Sequence, residues 1–354
     1  MSRPSDLPDW ATNANYSAGT YSGQSTKSTP ASGVVQNGFM GGYGAPAEWL
    51  NWVLNNHAAW LNYLDSDTAT SVFGTGALGA AAFDGASAVS GCSRVGSVYT
   101  ATQDLFYTNA TLSASVTLKM AGYRLYINGT LDMSSAAPVI SCDGLTPSGR
   151  TAGLAPGALL ATTGAGGDGG ASGGANNGTA GSNITIALGS AGGAGGNGAG
   201  AGAAAGTATA PGATLGSIYI PPSLYTGALF GASGLSIVQG GSGGGGGGGG
   251  TGAGGGGGGG GGVLLVCARN VNLSASAVIS AKGSNGAAGA GGVNAGGGGG
   301  GGGGAVIFLY RSLVSGSSSV SSRVSVDKGT GGSATAGGVA GFDGANGNSY
   351  ILTV

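Results

Sequence analysis

Residues 254–266 read GGGGGGGGGVLLV, in which nine consecutive glycines lead into a hydrophobic segment. Two similar runs lie nearby, at 243–250 and at 296–304, and the second is followed by AVIFL at 305–309. Glycine loses much backbone entropy on ordering, so a glycine run normally indicates a linker. A linker needs no strand directly behind it. We therefore interpret the runs as extended threefold helices that pack side by side, in which a nine-residue run is about 28 Å long.

The composition excludes the usual classes of glycine-rich chain. Of 354 residues, 85 are glycine, 41% are hydrophobic and 6% are charged, with a net charge of −1. The absence of a strict three-residue period over the chain argues against collagen. High hydrophobicity with low charge argues against disorder. The sequence has no cluster of basic residues of the kind that binds nucleic acids. Neither a transmembrane helix nor a signal peptide is predicted.

Five segments are predicted along the chain. All four tryptophans lie in the first 60 residues, far from the long glycine runs. The helix predicted around them has an apolar arc wider than one core requires, so we expect it to be enclosed by symmetry-related copies or by a docking partner. A plain core helix is the alternative. The segments are an extended arm at 1–42, an attachment helix at 43–68, a linker at 69–97, a β-strand block at 98–150 and a glycine-rich domain at 151–354. The attachment or oligomer interface is predicted at Trp10, Trp49, Trp52 and Trp60.

The strand-forming sequence is repeated. Residues 125–144 align without gaps on 264–283, and both copies end in Val-Ile-Ser-x-x-Gly. A looser third copy follows Gly304. The distance along the chain from the second copy to the third equals that from Arg269 to Arg311. Each unit indicates a strand, a turn, a second strand and a glycine-rich excursion, and such units stack on their neighbours. The predicted fold class is therefore mainly β, with repeated strand units plus a glycine-rich polyglycine-II helix bundle and a short N-terminal α-helical attachment segment.

An insertion at 145–262 separates the first two copies. It is mostly Gly, Ala, Ser and Thr, but a bulky island interrupts it between Ile218 and Phe230. Bulky side chains do not fit inside a close-packed glycine bundle, so the island is predicted to be a loop at its end or a patch on its flank. Tyr219, Tyr225 and Phe230 are the receptor-contact candidates, with local packing of the insertion as the alternative.

The residues indicate no catalytic apparatus. The single histidine, His57, and the single glutamate, Glu48, lie on opposite sides of the predicted helix. Any glycine run satisfies GxGxxG, and here no strand–turn–helix unit surrounds one. Asp132 and Asp143 could form the carboxylate pair of a glycosidase, but their positions fit turn chemistry equally well. The three cysteines fit neither a zinc site nor a disulfide framework. We predict that the chain is not an enzyme and uses no cofactor and no metal.

Two motif blocks carry a resemblance to a known family. PDWA at 8–11 with APAEWLNW at 45–52 resembles the N-terminal attachment segment of tail proteins of tailed bacteriophages. ATQDLFYTNAT at 101–111 with GYRLYINGTL at 122–131 resembles the strand block of glycine-rich phage tail-fibre proteins. The glycine runs resemble the polyglycine-helix domains of T-even-like phage tail-tip adhesins. The resemblance covers most of the chain and implies distal loops that recognise the host surface.

The function predicted from these features is that of a structural virion protein. It would be a short tail fibre or receptor-binding protein that anchors through its N-terminus and presents the glycine-rich domain to the host. The implied partners are other tail or baseplate proteins, two further copies in a homotrimer, and a host cell-surface glycan or outer-membrane protein. The location is the virion, assembled in the host cytoplasm. The alternative is a non-adhesive baseplate, neck or capsid decoration fibre with the glycine bundle as a stiff spacer, and a depolymerase fibre is a third, less favoured class.

Overall fold

The computed structural model describes residues 72–156, 164–184, 188–202, 240–315 and 319–354. The chain divides into two compact units, Met1–Thr70 and Ser71–Val354, and all described residues belong to the second unit. The predicted arm and attachment helix lie outside the described residues, so these boundaries stay predictions.

Thirteen short strands make up the regular structure of the described residues. Val72 and Phe73 have helical backbone, and one 3-10 helix spans Ser321–Arg323; the described ranges contain no other helix. The strands are β1 (Ala81–Phe83), β2 (Cys92–Val95), β3 (Val98–Ala101), β4 (Leu105–Tyr107), β5 (Ala110–Leu112), β6 (Thr117–Lys119), β7 (Leu125–Met133), β8 (Val139–Ser141), β9 (Val263–Leu273), β10 (Val278–Ser280), β11 (Ala305–Ser315), β12 (Val324–Ser325) and β13 (Asn348–Thr353).

The strands form two sheets that the chain visits in turn. The seven-stranded sheet has the order β1-β5-β7-β9-β11-β13, with β4 also paired to β7, and the six-stranded sheet has the order β12-β10-β8-β6-β3-β2. Among the described strands only β2 and β3 pair antiparallel. From β5 to β13, successive strands alternate between the two sheets. Each repeat therefore adds one strand to each sheet and pairs with the equivalent strands of the next repeat.

The predicted fold class is wrong. The described residues form one parallel sheet and one mixed, mostly parallel sheet, the pairing typical of α/β proteins, and no N-terminal helix falls within them beyond Val72 and Phe73. The sequence pattern located strands and turns, but it carries no information on which strands pair. Because the two strands of one unit lie in different sheets, pairing is set by stacking between units that are distant in sequence.

The register shows how the repeats stack. Val139 pairs with Val278 and Ile140 with Ile279, as in the gap-free alignment of the two copies. In the preceding strand Leu125 pairs with Val266, two residues beyond its aligned position. After a register shift between Ile127 and Thr130 the pairing is still one residue beyond it, as for Leu131 with Val271. The described residues of the insertion after β8 add no strand to either sheet, and β7 and β9 are direct neighbours.

The main hydrophobic core lies between the two sheets. Phe83 packs edge-on against Tyr99 and Tyr107, with ring centroids 5.0 Å and 5.9 Å away. The seven-stranded sheet is buried on its other face as well, where Leu265 and Leu309 are almost fully covered. A strand that is buried on both faces reads as a continuous hydrophobic run, which explains VLLVCA in β9. Each fully buried aliphatic side chain contributes about 1.5–3 kcal/mol.

We use the name glycine array for the described segments 164–184, 188–202, 240–262, 281–304 and 326–347. Apart from isolated bridges, these segments are neither strand nor helix, and they hydrogen-bond sideways to one another. The donors in 241–250 change partner with a three-residue period: Gly241, Gly244 and Gly247 donate to Gly261, Gly258 and Gly255; Gly245 and Gly248 donate to Gly193 and Gly196; Gly246 and Gly249 donate to Thr179 and Asn176. Successive residues of a segment thus bond to different neighbouring segments.

Close approach of these backbones explains the glycine content. A Cβ placed on Gly246 would lie 1.9 Å from the Asp168 carbonyl oxygen, and one on Gly297 would lie 1.9 Å from that of Gly332. Glycine is therefore required at every position of a segment that faces an adjacent segment. The three unbroken runs are buried along their whole length, because they are surrounded by other segments.

Segments at the periphery of the array have adjacent segments on one side only, so they need glycine only at the positions on that side. In 338–347 glycine recurs at Gly338, Gly341, Gly344 and Gly347, and all six intervening residues are exposed. The three-residue period that is absent over the whole chain is thus present locally. Its glycines face the array, and its side chains face solvent.

Candidate functional site

Five turns of the glycine array meet at the end remote from the sheets, and we call them the turn cluster. They are joined by backbone hydrogen bonds: Gly173 donates to Gly250 (2.8 Å), Ala253 to Ala290 (2.7 Å), Ala199 to Asn294 (3.0 Å) and Asn294 to Ala336 (2.8 Å). The turns are residues 171–175, 197–200, 250–253, 290–294 and 335–338.

The lengths of the glycine segments place the turns together. The segments 254–262 and 296–304 hold nine glycines each and lead directly into β9 and β11. At about 3.1 Å per residue, each spans about 28 Å between its turn and its sheet strand. Because neighbouring segments are matched in length and held in register by hydrogen bonds, their turns end at one level.

Side chains and special backbone conformations fix the turns. Gly291 and Gly292 have φ values of 66° and 97°, in the left-handed region that favours glycine. The Thr251 hydroxyl donates to the Val293 carbonyl (3.1 Å) and accepts from the Val293 N–H (2.8 Å), which ties two turns together. Asn197 Oδ1 accepts from the Gly202 N–H (2.8 Å). Side-chain hydrogen bonds therefore connect and shape the turns of the cluster.

The surface of the turn cluster is uncharged. Its five turns contain hydroxyl, carboxamide and aliphatic side chains but no Asp, Glu, Lys, Arg or His. Val293 is 47% exposed, and Thr251 and Asn197 are exposed beside it. Such groups bind through shape and neutral hydrogen bonds, and none is an acid, a base or a strong nucleophile at neutral pH.

None of the sequence-predicted site residues falls within the described part of the chain. Tyr219, Tyr225 and Phe230 lie outside the described residues, and so do Trp10, Trp49, Trp52 and Trp60. Sequence reasoning did not name the turn residues. The ends of the glycine runs, at Gly250 and Gly296, and the local three-residue glycine periods are the signals that could have located them.

The two aspartates considered for catalysis have structural bonds. Asp132 Oδ1 accepts from the Ser134 N–H (3.0 Å) and from Asn272 Nδ2 (3.1 Å). Asp143 accepts from the Lys282 N–H (2.7 Å) and from Ser280 Oγ (2.9 Å), while burial raises its pKa. Both carboxylates thus join one repeat to the next.

Few side chains in the described part of the chain could ligate a metal ion or react as a thiolate. Within it, no cluster of three or more His, Cys, Asp or Glu side chains could ligate a metal ion. Cys142 and Cys267 are free and buried, and burial raises the pKa of both thiols to about 12. They stay protonated at neutral pH and pack as small hydrophobic side chains. No described helix is long and apolar enough to span a bilayer.

Comparisons with known proteins give no family for this chain. No family model matches it, and neither the curated proteins nor the solved structures contain a match. The resemblance to phage fibre proteins rests on the quoted residues alone, and the function has to be inferred from the geometry of the turn cluster.

Proposed function

We propose that this chain is a structural virion protein of a tailed bacteriophage, a short tail fibre or receptor-binding protein whose turn cluster contacts the host surface. The observation that carries the proposal is the turn cluster itself, which joins five turns at the end of the array remote from the sheets. The N-terminal segments would anchor the chain to other tail or baseplate proteins. The ligand would be a cell-surface glycan or an outer-membrane protein, and the reaction would be binding without catalysis.

Rigid presentation supports a binding role. Binding surfaces commonly consist of loops that a rigid scaffold positions. Here lateral backbone bonds hold each glycine segment, and Thr251 and Asn197 fix the turns themselves. A surface that is ordered before it binds loses less conformational entropy on binding, so small uncharged side chains can give useful affinity.

Exposed side chains at the periphery of the array favour a homotrimer in which the arrays of the three protomers stay separate. Segment 338–347 exposes Val339 and Phe342 (49% and 61% exposed) on the side that faces away from the array. These side chains prevent a second array from approaching at the spacing that glycine allows. We therefore propose that trimer contacts form towards the N-terminal end and that each protomer carries its own turn cluster.

A charge placed on the turn cluster is expected to weaken host binding. We expect Val293→Asp to weaken binding of the purified chain to host cells at least tenfold, because the new carboxylate must be desolvated in the contact. Val95→Asp is the matched control, since Val95 is 83% exposed on β2. Binding of labelled protein to a panel of bacterial strains is the measurement, with thermal unfolding to show that both variants are folded.

The outcomes separate the candidate roles. Equal binding by Val293→Asp and the parent chain to a strain that the parent binds would contradict a contact at the turn cluster. If the parent chain binds no strain while antibodies locate it in the virion, the stiff-spacer role replaces the adhesive one. Release of reducing sugar from host polysaccharide would instead indicate a depolymerase.

A further inference from the structure

The seven-stranded sheet has an unpaired edge at β13. The sheet order ends at this strand, and no described strand pairs with its far side. With six residues, β13 is the longest of the described strands that end a sheet, since β1, β2 and β12 have three, four and two residues. An edge strand offers a row of backbone donors and acceptors to another strand. The edge lies in the sheet, so it is a different place on the molecule from the turn cluster.

Alternate residues of β13 direct their backbone groups away from the sheet. The Asn348 N–H donates to the Gly304 carbonyl (3.1 Å) at the start of the strand. The Val354 N–H donates to the Tyr310 carbonyl (3.0 Å) at its end. Residues at even positions therefore bond to β11, and successive residues of a strand bond to opposite sides. The residues whose N–H and C=O groups point outward are Ser349, Ile351 and Thr353.

β13 lacks the features that keep sheet edges from pairing with other chains. Those features are charged side chains, proline and β-bulges. The sequence NSYILTV at 348–354 contains no charged residue and no proline, and its pairing with β11 shows no register shift. By contrast, β2 carries Arg94, and the two-residue β12 is followed by Asp327 and Lys328. The edge of β13 is therefore the one in the described sheets that is best suited to accept a further strand.

The side chains of β13 complement those of a second β13 in antiparallel orientation. When Ile351 lies opposite Ile351 of the second copy, the outward backbone groups of the two strands face each other as in a hydrogen-bonded antiparallel pair. This register places Ser349 opposite Thr353, and Ser–Thr hydrogen bonds stabilise such cross-strand pairs. It also places Tyr350 opposite Leu352, which is 41% exposed, so the contact buries apolar surface.

We propose that β13 is a self-association site, at which two copies of the chain pair in antiparallel orientation about a two-fold axis at Ile351. In a two-fold contact the same surface of both copies is used, as the self-complementary register requires. Antiparallel strands direct the two glycine arrays in opposite directions, so the exposed Val339 and Phe342 do not obstruct the contact. The site is separate from the trimer contacts proposed towards the N-terminal end, and a chain that forms both assembles as a pair of trimers. It does not rest on the function proposed for the turn cluster.

Disulfide formation in the full-length chain tests the register. Cys92→Ser first removes the native cysteine that is not buried. In that background Ile351→Cys places two thiols on the two-fold axis, with Cα atoms about 5.5 Å apart, a separation that a disulfide spans. Leu352→Cys is the matched control, because its two copies are diagonal neighbours about 7–8 Å apart. We expect the oxidant diamide to cross-link Ile351→Cys at least tenfold faster than Leu352→Cys, although Leu352 is the more exposed residue.

Light scattering of the full-length chain over a range of concentrations tests the association itself. Leu352→Lys and Val339→Lys each place a lysine at an exposed apolar position. We expect Leu352→Lys to halve the mass of the assembly, because a lysine on an edge strand opposes pairing, and Val339→Lys to leave it unchanged. Thermal unfolding shows that both variants are folded. The proposal is overturned if the parent chain is a monomer or a trimer at every concentration, if the two lysine variants have the same mass, or if Leu352→Cys cross-links as fast as Ile351→Cys.

Discussion

Gly246→Ala is expected to lower the free energy of unfolding by about 3 kcal/mol, at the upper end of the usual cost of overpacking. The added methyl carbon would lie 1.9 Å from the Asp168 carbonyl oxygen and 2.5 Å from its carbonyl carbon. Both atoms belong to a backbone held by its own hydrogen bonds, so no side-chain rotation relieves the overlap. Equilibrium urea unfolding of the purified chain measures the effect.

Gly174→Ala is the matched control for this prediction. It also adds one methyl group to the array, but in a turn where the nearest atom, Asn176 Nδ2, is 3.8 Å from the new carbon. The expected change is less than about 1 kcal/mol. Similar losses in the two variants would show that close backbone approach is not what requires glycine at Gly246.

Asp104→Ala is expected to destabilise the chain by about 3–5 kcal/mol, the cost of removing one partner of a buried ion pair. Asp104 accepts from Arg124 Nε (2.8 Å) and from the Arg124 N–H (2.9 Å), and Arg124 Nη2 also contacts it. The two side chains are only 16% and 13% exposed. The pair joins the start of β4 to the start of β7, beside the stacked rings of Phe106 and Tyr126. The variant leaves the guanidinium buried without its counter-ion.

Asp327→Ala provides a control of the same chemical change on the surface. Asp327 is 65% exposed and lies 3.7 Å from Lys282 Nζ. Exposed ion pairs contribute about 0–1 kcal/mol, so thermal and urea unfolding should change little. If Asp104→Ala were equally mild, the Asp104–Arg124 pair would not be a structural link between β4 and β7.

Parts of the fold could be predicted from the sequence because they depend on local patterns. The hydrophobic segments after the glycine runs are the strands β9 and β11, and the gap-free repeat gives the correct register for β8 and β10. The sheet order could not be predicted in this way. It depends on contacts such as that of β7 with β9, which lie on either side of the long insertion.

The turn cluster was harder to predict because glycine carries no side chain that could specify a partner. Gly245 donates to Gly193 while the next residue, Gly246, donates to Thr179. Nothing in a glycine run distinguishes these two directions. The informative positions are in the peripheral segments, where Gly283, Gly286 and Gly289 repeat every third residue and mark the face turned to the array. The aromatic residues predicted to contact a receptor, Tyr219, Tyr225 and Phe230, lie outside the described residues.

Native-state amide hydrogen exchange measures whether lateral backbone hydrogen bonds order the glycine runs. The amides of 244–250 donate to several neighbouring segments and are buried. We expect them to exchange as slowly as the amides of β9, because both would open only with unfolding of the second compact unit. Exchange of the glycine amides at the rate of an unstructured peptide, with the amides of β9 still protected, would show that such bonds do not order the runs.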